Sequence, residues 1–231
     1  MKIIYKISSI VFCWMFLLSV TSCDKIIDDF GFDGAISGKI VDEAGNLVYG
    51  DITSTSLSVK ALGDGDKVTM DMRVKGDGSY QNTKLFPKSY RVWVTGPVDM
   101  VNDTLRVDFT ANNVVEHDFV VVPFITMETP ALVGSPTATA VNVSFAMTPN
   151  SGKTVSSRQL YCSTNPYPNA STGSGPFFHT VQVTLSANSG SVAVTGLTAS
   201  TTYFLRIGAQ ATGASSRNFS DQITFTTPAS R

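Results

Sequence analysis

Residues 90–94 read Tyr90-Arg91-Val92-Trp93-Val94, which places Tyr90, Val92 and Val94 on one face and Arg91 and Trp93 on the other. Side chains of a strand point alternately to its two faces, so this pattern is typical of a strand that buries one face. After residue 22 the chain consists of similar short runs separated by Gly, Pro, Asn and Asp, and no stretch has a sustained helical period. The sequence therefore predicts an all-β protein with two tandem β-sandwich domains.

Charge is divided unevenly along the 231 residues, although the formal net charge is only −1. Residues 23–130 contain 17 acidic and 10 basic residues, whereas residues 131–231 contain five basic residues and one acid, Asp221. This shift indicates a boundary near residues 124–130, with one domain over residues 34–124 and another over residues 125–231. A mildly acidic chain has no general attraction to nucleic acid, so no nucleic-acid partner is expected.

The N-terminus has the organisation of an export signal. Lys2 and Lys6 precede a short apolar run at residues 10–18, and Val20-Thr21-Ser22-Cys23 follows that run. So short a run fits a signal peptide better than a membrane span, which needs about 20 apolar residues. The four residues that end in Cys23 resemble a lipobox, the sequence cut by lipoprotein signal peptidase. An ordinary secretory signal with a chance cysteine is the alternative.

The lipobox resemblance implies how the mature chain is anchored. Residues 1–22 would be removed as a lipoprotein signal peptide, and Cys23 would carry the acyl chains that hold the protein on a membrane. Residues 23–33 would form a tether between lipid and domain. Three acids in this tether resemble the export signals of Bacteroidetes surface lipoproteins: Asp24, Asp28 and Asp29. The expected location is the outer membrane, exposed at the cell surface rather than to the periplasm.

Within residues 34–124, strand-like runs alternate with turns rich in Asp and Gly. Dipeptides such as Asp64-Gly65 and Asp77-Gly78 suit turns with positive φ, which glycine adopts readily. Six strands are predicted: Ala35–Val41, Thr53–Ala61, Val68–Val74, Tyr90–Thr95, Asp103–Phe109 and Val114–Val122.

The same region carries two family resemblances. One set of motifs resembles the transthyretin-like, or carboxypeptidase-regulatory-like, sandwich: Gly38–Gly45, Gly76–Tyr80 and Leu85–Tyr90. A fuller set resembles a family of Bacteroidetes lipoproteins, domain of unknown function 3823 (DUF3823): Asp77–Tyr90, Gly96-Pro97 and Asp118–Phe124. Members are typically encoded beside SusC/SusD-like glycan uptake pairs. The family has no established chemistry, so the resemblance implies no catalytic residue.

Residues 125–231 carry a second signature. Leu197-Thr-Ala-Ser-Thr-Thr-Tyr203 resembles fibronectin type III domains, in which the tyrosine hydroxyl bonds to backbone upstream, a tyrosine corner. Ala199 stands where that family usually has Pro, and Phe145 replaces its common core Trp. The resemblance implies an immunoglobulin-like sandwich whose final strand is Asp221–Thr227.

The residues do not favour catalysis. Glycoside hydrolysis needs two positioned carboxylates, and the second domain contains only Asp221. His117 and His179 lie in different domains, outside any zinc-binding spacing. Neither a cofactor nor a metal is expected, although calcium binding by Asp64, Asp66 and Asp77 stays open as a minor alternative. Cys162, the single cysteine after Cys23, is expected to be a buried, inert thiol.

Binding is the more plausible chemistry, because loops on rigid sandwiches often carry recognition. The segment Ser163–His179 is long, polar and rich in Pro and Gly. Sugars stack on aromatic faces and bond to amides, so this loop and the strand at residues 90–94 supply six candidate glycan-binding residues: Trp93, Tyr167, Asn169, Phe177, Phe178 and His179. The alternative is that Phe177 and Phe178 enter the core and that Tyr167 packs the loop down.

These observations predict a non-catalytic envelope lipoprotein that serves a polysaccharide utilisation system and binds glycan at the cell surface. The alternative is a structural spacer or scaffold that contacts a SusC/SusD-like outer-membrane complex. A third hypothesis is a hydrolase with a site between the domains.

Overall fold

Strands account for all the regular secondary structure in the described part of the chain. The computed structural model describes residues 31, 34–51, 56–102, 104–109, 113–150, 152–171 and 179–230. These residues form eighteen strands and no helix, so they also contain no helical segment with the length and hydropathy of a membrane span. The predicted all-β fold with tandem sandwiches is confirmed.

The first sandwich consists of strands β1 to β9. Their bounds are β1 Gly34–Val41, β2 Ser58–Gly63, β3 Met70–Arg73, β4 Ser79–Leu85, β5 Ser89–Thr95, β6 Val98–Met100, β7 Leu105–Asp108, β8 Val114–Glu116 and β9 Phe119–Pro123. One sheet has the order β4-β1-β9-β6, with β8 also paired to β1, and the other has the order β3-β2-β5-β7. Strand β1 runs parallel to both β8 and β9.

Strand β5 has the two faces that its sequence predicts. Tyr90, Val92 and Val94 are buried in the first core, whereas Arg91 is exposed and Trp93 is half-buried. Strand β4 was not predicted, because only Tyr80 and Leu85 of its seven residues are buried. Pairing with β1 makes this polar segment a strand, and such long-range pairing leaves no local pattern.

The second sandwich consists of strands β10 to β18. Their bounds are β10 Ile125–Met127, β11 Ala131–Leu132, β12 Ala140–Pro149, β13 Val155–Ser163, β14 Val181–Thr184, β15 Ser189–Thr195, β16 Thr202–Ala211, β17 Arg217–Phe219 and β18 Ile223–Thr226. Strand β12 pairs with β10, β11 and β15 on one side of the sandwich. The opposite sheet has the order β14-β13-β16-β17, with β18 also paired to β16.

Each sandwich has its own hydrophobic core. The first core extends along the chain from Ile36 to Val121 and the second from Ile125 to Phe225. Cys162 is fully buried in the second core, and burial raises the pKa of its thiol to about 12, which keeps it protonated and unreactive at neutral pH. Both sandwiches belong to one compact unit, Asp33–Arg231.

A tyrosine corner is present where the fibronectin-like signature predicts it. The backbone N–H of Thr198 donates a hydrogen bond to the hydroxyl of Tyr203, over 2.9 Å. The Tyr203 ring stacks on Phe225 with ring centroids 5.8 Å apart. This bond ties the chain that enters β16 to the end of the sandwich core.

Replacing Tyr203 by Phe keeps the ring but removes the hydroxyl that Thr198 requires as an acceptor. The free energy of unfolding should fall by about 1 kcal/mol, since the Thr198 N–H loses its partner. Urea denaturation of the wild-type and variant chains measures this difference. Equal midpoints and slopes would contradict the assigned role of the corner.

Candidate functional site

Residues 164–171, the described part of the segment after β13, contact the first sandwich through Tyr167 and Asn169. Its Tyr167 has a positive φ of 56° and donates its backbone N–H to Oε1 of Gln222 over 2.6 Å. The Tyr167 ring lies on Gly76, where an added Cβ would stand 2.3 Å from the ring Cγ. Only a residue without a side chain allows this approach, so glycine is required at position 76 for the contact with Tyr167 as well as for the turn.

Arg206 of β16 lies at the centre of this contact and is fully buried. Its guanidinium donates to three backbone oxygens: Nε to Pro168 over 2.6 Å, Nη1 to Gly50 over 3.1 Å and Nη2 to Tyr167 over 3.3 Å. Two of these acceptors belong to the second sandwich and one to the first. The planar fork of Arg suits such convergent acceptors, which a Lys ammonium could not match.

The burial of this charge is offset by its surroundings. Desolvation lowers the pKa of Arg206 to about 10, while the negative charge of Asp51 opposes that shift. The Arg206 Cζ also stands 4.0 Å from the centroid of the Phe219 ring, a cation–π contact. Because the lowered pKa is still well above 7, Arg206 remains charged at neutral pH.

Asn169 belongs to the same junction. Its side chain is fully buried, and its Nδ2 donates to Oδ1 of Asp51 over 2.9 Å. His179 is half-buried, with its Nδ1 2.9 Å from the backbone oxygen of Asn169. Tyr167 and Asn169 of the candidate platform thus contact the first sandwich, and the predicted alternative that Tyr167 packs the loop down matches this geometry.

Further contacts join the sandwiches beside Arg206. Asn218 accepts the Ile125 N–H over 3.1 Å and donates to the Pro97 oxygen over 3.0 Å, so it bridges both sandwiches. Lys153 forms an ion pair with Asp99 over 3.3 Å. Tyr49, which forms a β-bridge with Phe219, has its pKa raised to about 12 by burial and by its hydrogen bond to Asp221.

A cleft of about 480 Å³ lies between the sandwiches, where the hydrolase hypothesis requires its active site. Asp42 and Glu128 are the carboxylates among its lining residues. Both Asp42 oxygens are engaged by its own turn, with bonds of 2.9 Å from Ala44 N, 2.8 Å from Asn46 N and 3.0 Å from Asn46 Nδ2. Within the described residues, no group of three His, Cys, Asp or Glu side chains is placed to hold a metal ion.

Trp93 is the candidate that lies on an outward surface. It projects from the outer face of the β3-β2-β5-β7 sheet, opposite Lys60 in register, and is half-buried. We call this surface the Trp93 face, defined by the outward side chains Lys60, Leu62, Asp71, Arg73, Arg91, Trp93, Thr95, Arg106 and Asp108. None of the described contacts that join the two sandwiches involves these side chains.

Three of the predicted site residues lie outside the described part of the chain: Cys23, Phe177 and Phe178. Sequence reasoning missed Arg206, Asp51 and Gly50. One local signal was available for Arg206, since it interrupts the run Leu205-Arg206-Ile207, in which its neighbours are apolar. The carbonyl oxygens that accept the hydrogen bonds of Arg206 belong to loops distant in sequence, so no local pattern predicts these bonds.

Replacing Arg206 by Met should lower the free energy of unfolding by roughly 3 kcal/mol, because three carbonyl oxygens lose their buried donors. Arg206→Lys should also destabilise the protein, since an ammonium lacks the fork. Chemical denaturation of the chain measures both changes.

The matched control is Arg158→Met on the neighbouring strand β13, where the arginine is only half-buried. Its effect should stay within about 0.5 kcal/mol. Equal stability of the Arg206→Met variant and the wild type would contradict the central role of Arg206 in the junction.

No protein-family model matches the chain, and no curated protein matches it, but solved structures share its fold. A candidate carbohydrate-binding protein from Bacteroides uniformis superposes with a TM-score of 0.66 at 21% identity, over 85% of this chain and 100% of that one. A DUF3823 family protein from Parabacteroides merdae gives a TM-score of 0.67 at 18% identity, over 84% and 98% of the two chains. Another DUF3823 family protein, from Bacteroides ovatus, gives 0.62 at 17% identity, over 83% and 97%.

At these identities the likeness establishes the fold. The chain shares its two-sandwich architecture, over nearly the full length of each partner, with DUF3823 family proteins, the family to which its sequence motifs pointed. None of the three solved proteins is named as an enzyme.

Proposed function

We propose that this protein is a non-catalytic polysaccharide-binding lipoprotein of the bacterial envelope and that it binds glycan on the Trp93 face. The observation that carries the proposal is Trp93 itself, a large aromatic side chain placed on the outside of a rigid sheet. A tryptophan in that position presents apolar area that a sugar ring can stack on. The naming of a solved neighbour as a candidate carbohydrate-binding protein supports the same function.

The surroundings of Trp93 suit a sugar. Lys60 of the neighbouring strand β2 is the register partner of Trp93, and Thr95 follows Trp93 on the same face of β5. Leu62 lies diagonally beside it and extends the apolar area. An aromatic surface with a few polar groups at its edge is the usual composition of a ligand site.

Trp93→Ala should abolish glycan binding, because the stacking surface is lost, while Trp93→Phe should retain part of it. Affinity electrophoresis and calorimetry of residues 24–231 against a panel of plant, host and microbial polysaccharides measure binding. Phe86→Ala is the control, since Phe86 is an exposed aromatic (46% exposed) elsewhere on the same sandwich. Full binding by a folded Trp93→Ala chain would contradict the proposed face.

The envelope location rests on the lipobox resemblance at Cys23. We expect Cys23→Ala to leave the chain unlipidated, so that it no longer fractionates with outer membranes and takes up no radiolabelled palmitate. Protease treatment of intact cells distinguishes exposure at the surface from exposure to the periplasm. Palmitate incorporation into the Cys23→Ala chain would contradict the anchor.

The junction at Arg206 supports a second candidate function, a rigid spacer that contacts a SusC/SusD-like complex. A buried guanidinium that bonds to both sandwiches fixes their relative orientation, as a spacer requires. A spacer should co-purify with an outer-membrane complex whether or not Trp93 is present. A glycan receptor should lose its affinity for the polysaccharide when Trp93 is replaced, and this replacement should not change its binding to any membrane partner.

A further inference from the structure

The Trp93 face is basic although it belongs to an acidic part of the chain. Residues 23–130 contain 17 acids and 10 bases, yet this face collects four of the bases and only two of the acids. The bases are Lys60, Arg73, Arg91 and Arg106, and the acids are Asp71 and Asp108. Positive charge is therefore concentrated on the surface that carries the half-buried Trp93.

Two of these bases oppose each other directly. Arg91 of β5 and Arg106 of β7 are register partners, and both are exposed. Side chains that face each other in an antiparallel pair have Cβ atoms roughly 5 Å apart, and like charges in that position destabilise a sheet. The opposed arginines therefore lower the stability of the folded protein.

No acid in the described part of the chain is ion-paired with the two opposed arginines. Lys60 is neutralised by Asp71 over 2.6 Å, but neither Arg91 nor Arg106 forms an ion pair with a described acidic residue. Asp108 lies on the same face but two register pairs further along, opposite Ser89. Both arginines are exposed, and together their guanidinium groups carry ten N–H donors.

An anionic ligand would relieve this repulsion. Guanidinium forks bind carboxylate and sulfate oxygens by paired hydrogen bonds, which are stronger than bonds between neutral groups. Arg91 is two residues from Trp93 on the same face of β5, a spacing of roughly 7 Å. A sugar stacked on Trp93 can thus direct an acidic substituent, or that of the next unit, to the arginine pair.

We infer that the polysaccharide bound by the Trp93 face is anionic, with carboxylate or sulfate groups held between Arg91 and Arg106. This inference rests on the proposed glycan-binding function and specifies its substrate class. Trp93 supplies stacking that any sugar can use, whereas the arginine pair selects for negative charge.

The test compares the wild-type chain, residues 24–231, with Arg91→Gln/Arg106→Gln and with Lys39→Gln/Lys84→Gln. The control pair removes the same charge from exposed lysines on β1 and β4, in the opposite sheet. The probes are polygalacturonate and alginate for carboxylate, chondroitin sulfate and heparin for sulfate, and galactomannan and laminarin as neutral polymers. Calorimetry at low and moderate salt gives the affinities.

We expect wild-type binding to at least one acidic polymer, at least tenfold weaker in the arginine variant and changed less than twofold in the lysine control. The carboxylate and sulfate arms identify which acid is bound. The arginine variant should be at least as stable to urea as the wild type, because the repulsion is gone, and that result separates a binding role from a structural one.

Two outcomes would overturn the inference. If the wild type binds a neutral polymer and the arginine variant binds it equally well, the proposed glycan function stands and the anionic specificity is wrong. If both double variants weaken acidic binding equally, the effect is general charge attraction and the arginine pair has no special role. Binding of no polymer at all would remove the proposed function and this inference together.

Discussion

A buried guanidinium group lies at the centre of the contacts that join the two sandwiches. Arg206 donates to Gly50 from the first sandwich and to Tyr167 and Pro168 from the second. A buried charge is tolerated only where its hydrogen bonds are made, so these carbonyl oxygens have to be fixed in space. The positive φ of Tyr167 and the bare backbone of Gly76 both serve that requirement. Residues 167 and 168 of the segment after β13 thus take the positions in which their oxygens accept the bonds of Arg206.

Much of the fold follows from local sequence. The alternation in β5 predicted which of its side chains enter the core, and the spacing from Leu197 to Tyr203 predicted the hydrogen bond that closes the tyrosine corner. Both features depend on residues close together in the chain. Strand β4 could not be predicted in this way, because its polar residues become a strand only through pairing with β1.

The candidate site was harder to predict, for the same reason. Tyr167, Asn169 and His179 have the composition of an exposed sugar platform. Nothing near them in sequence reveals that Asn169 bonds to Asp51 or that Arg206 beside them bonds to Gly50. Trp93 was predictable as an outward residue, since it alternates with buried valines. The arginine opposite Arg91 belongs to another strand, so the basic character of that face emerges only from the register of β5 with β7.

The bond from Arg206 to Gly50 joins residues 156 positions apart in the chain. During synthesis from the N-terminus, the residues of the first sandwich are therefore made well before Arg206, the residue that bonds to Gly50. Until β16 is in place, water has to satisfy the Gly50 oxygen, since a backbone carbonyl requires a hydrogen-bond partner. The bond that joins Gly50 to Arg206 is thus made late, and its formation replaces water at the Gly50 oxygen by a buried guanidinium group.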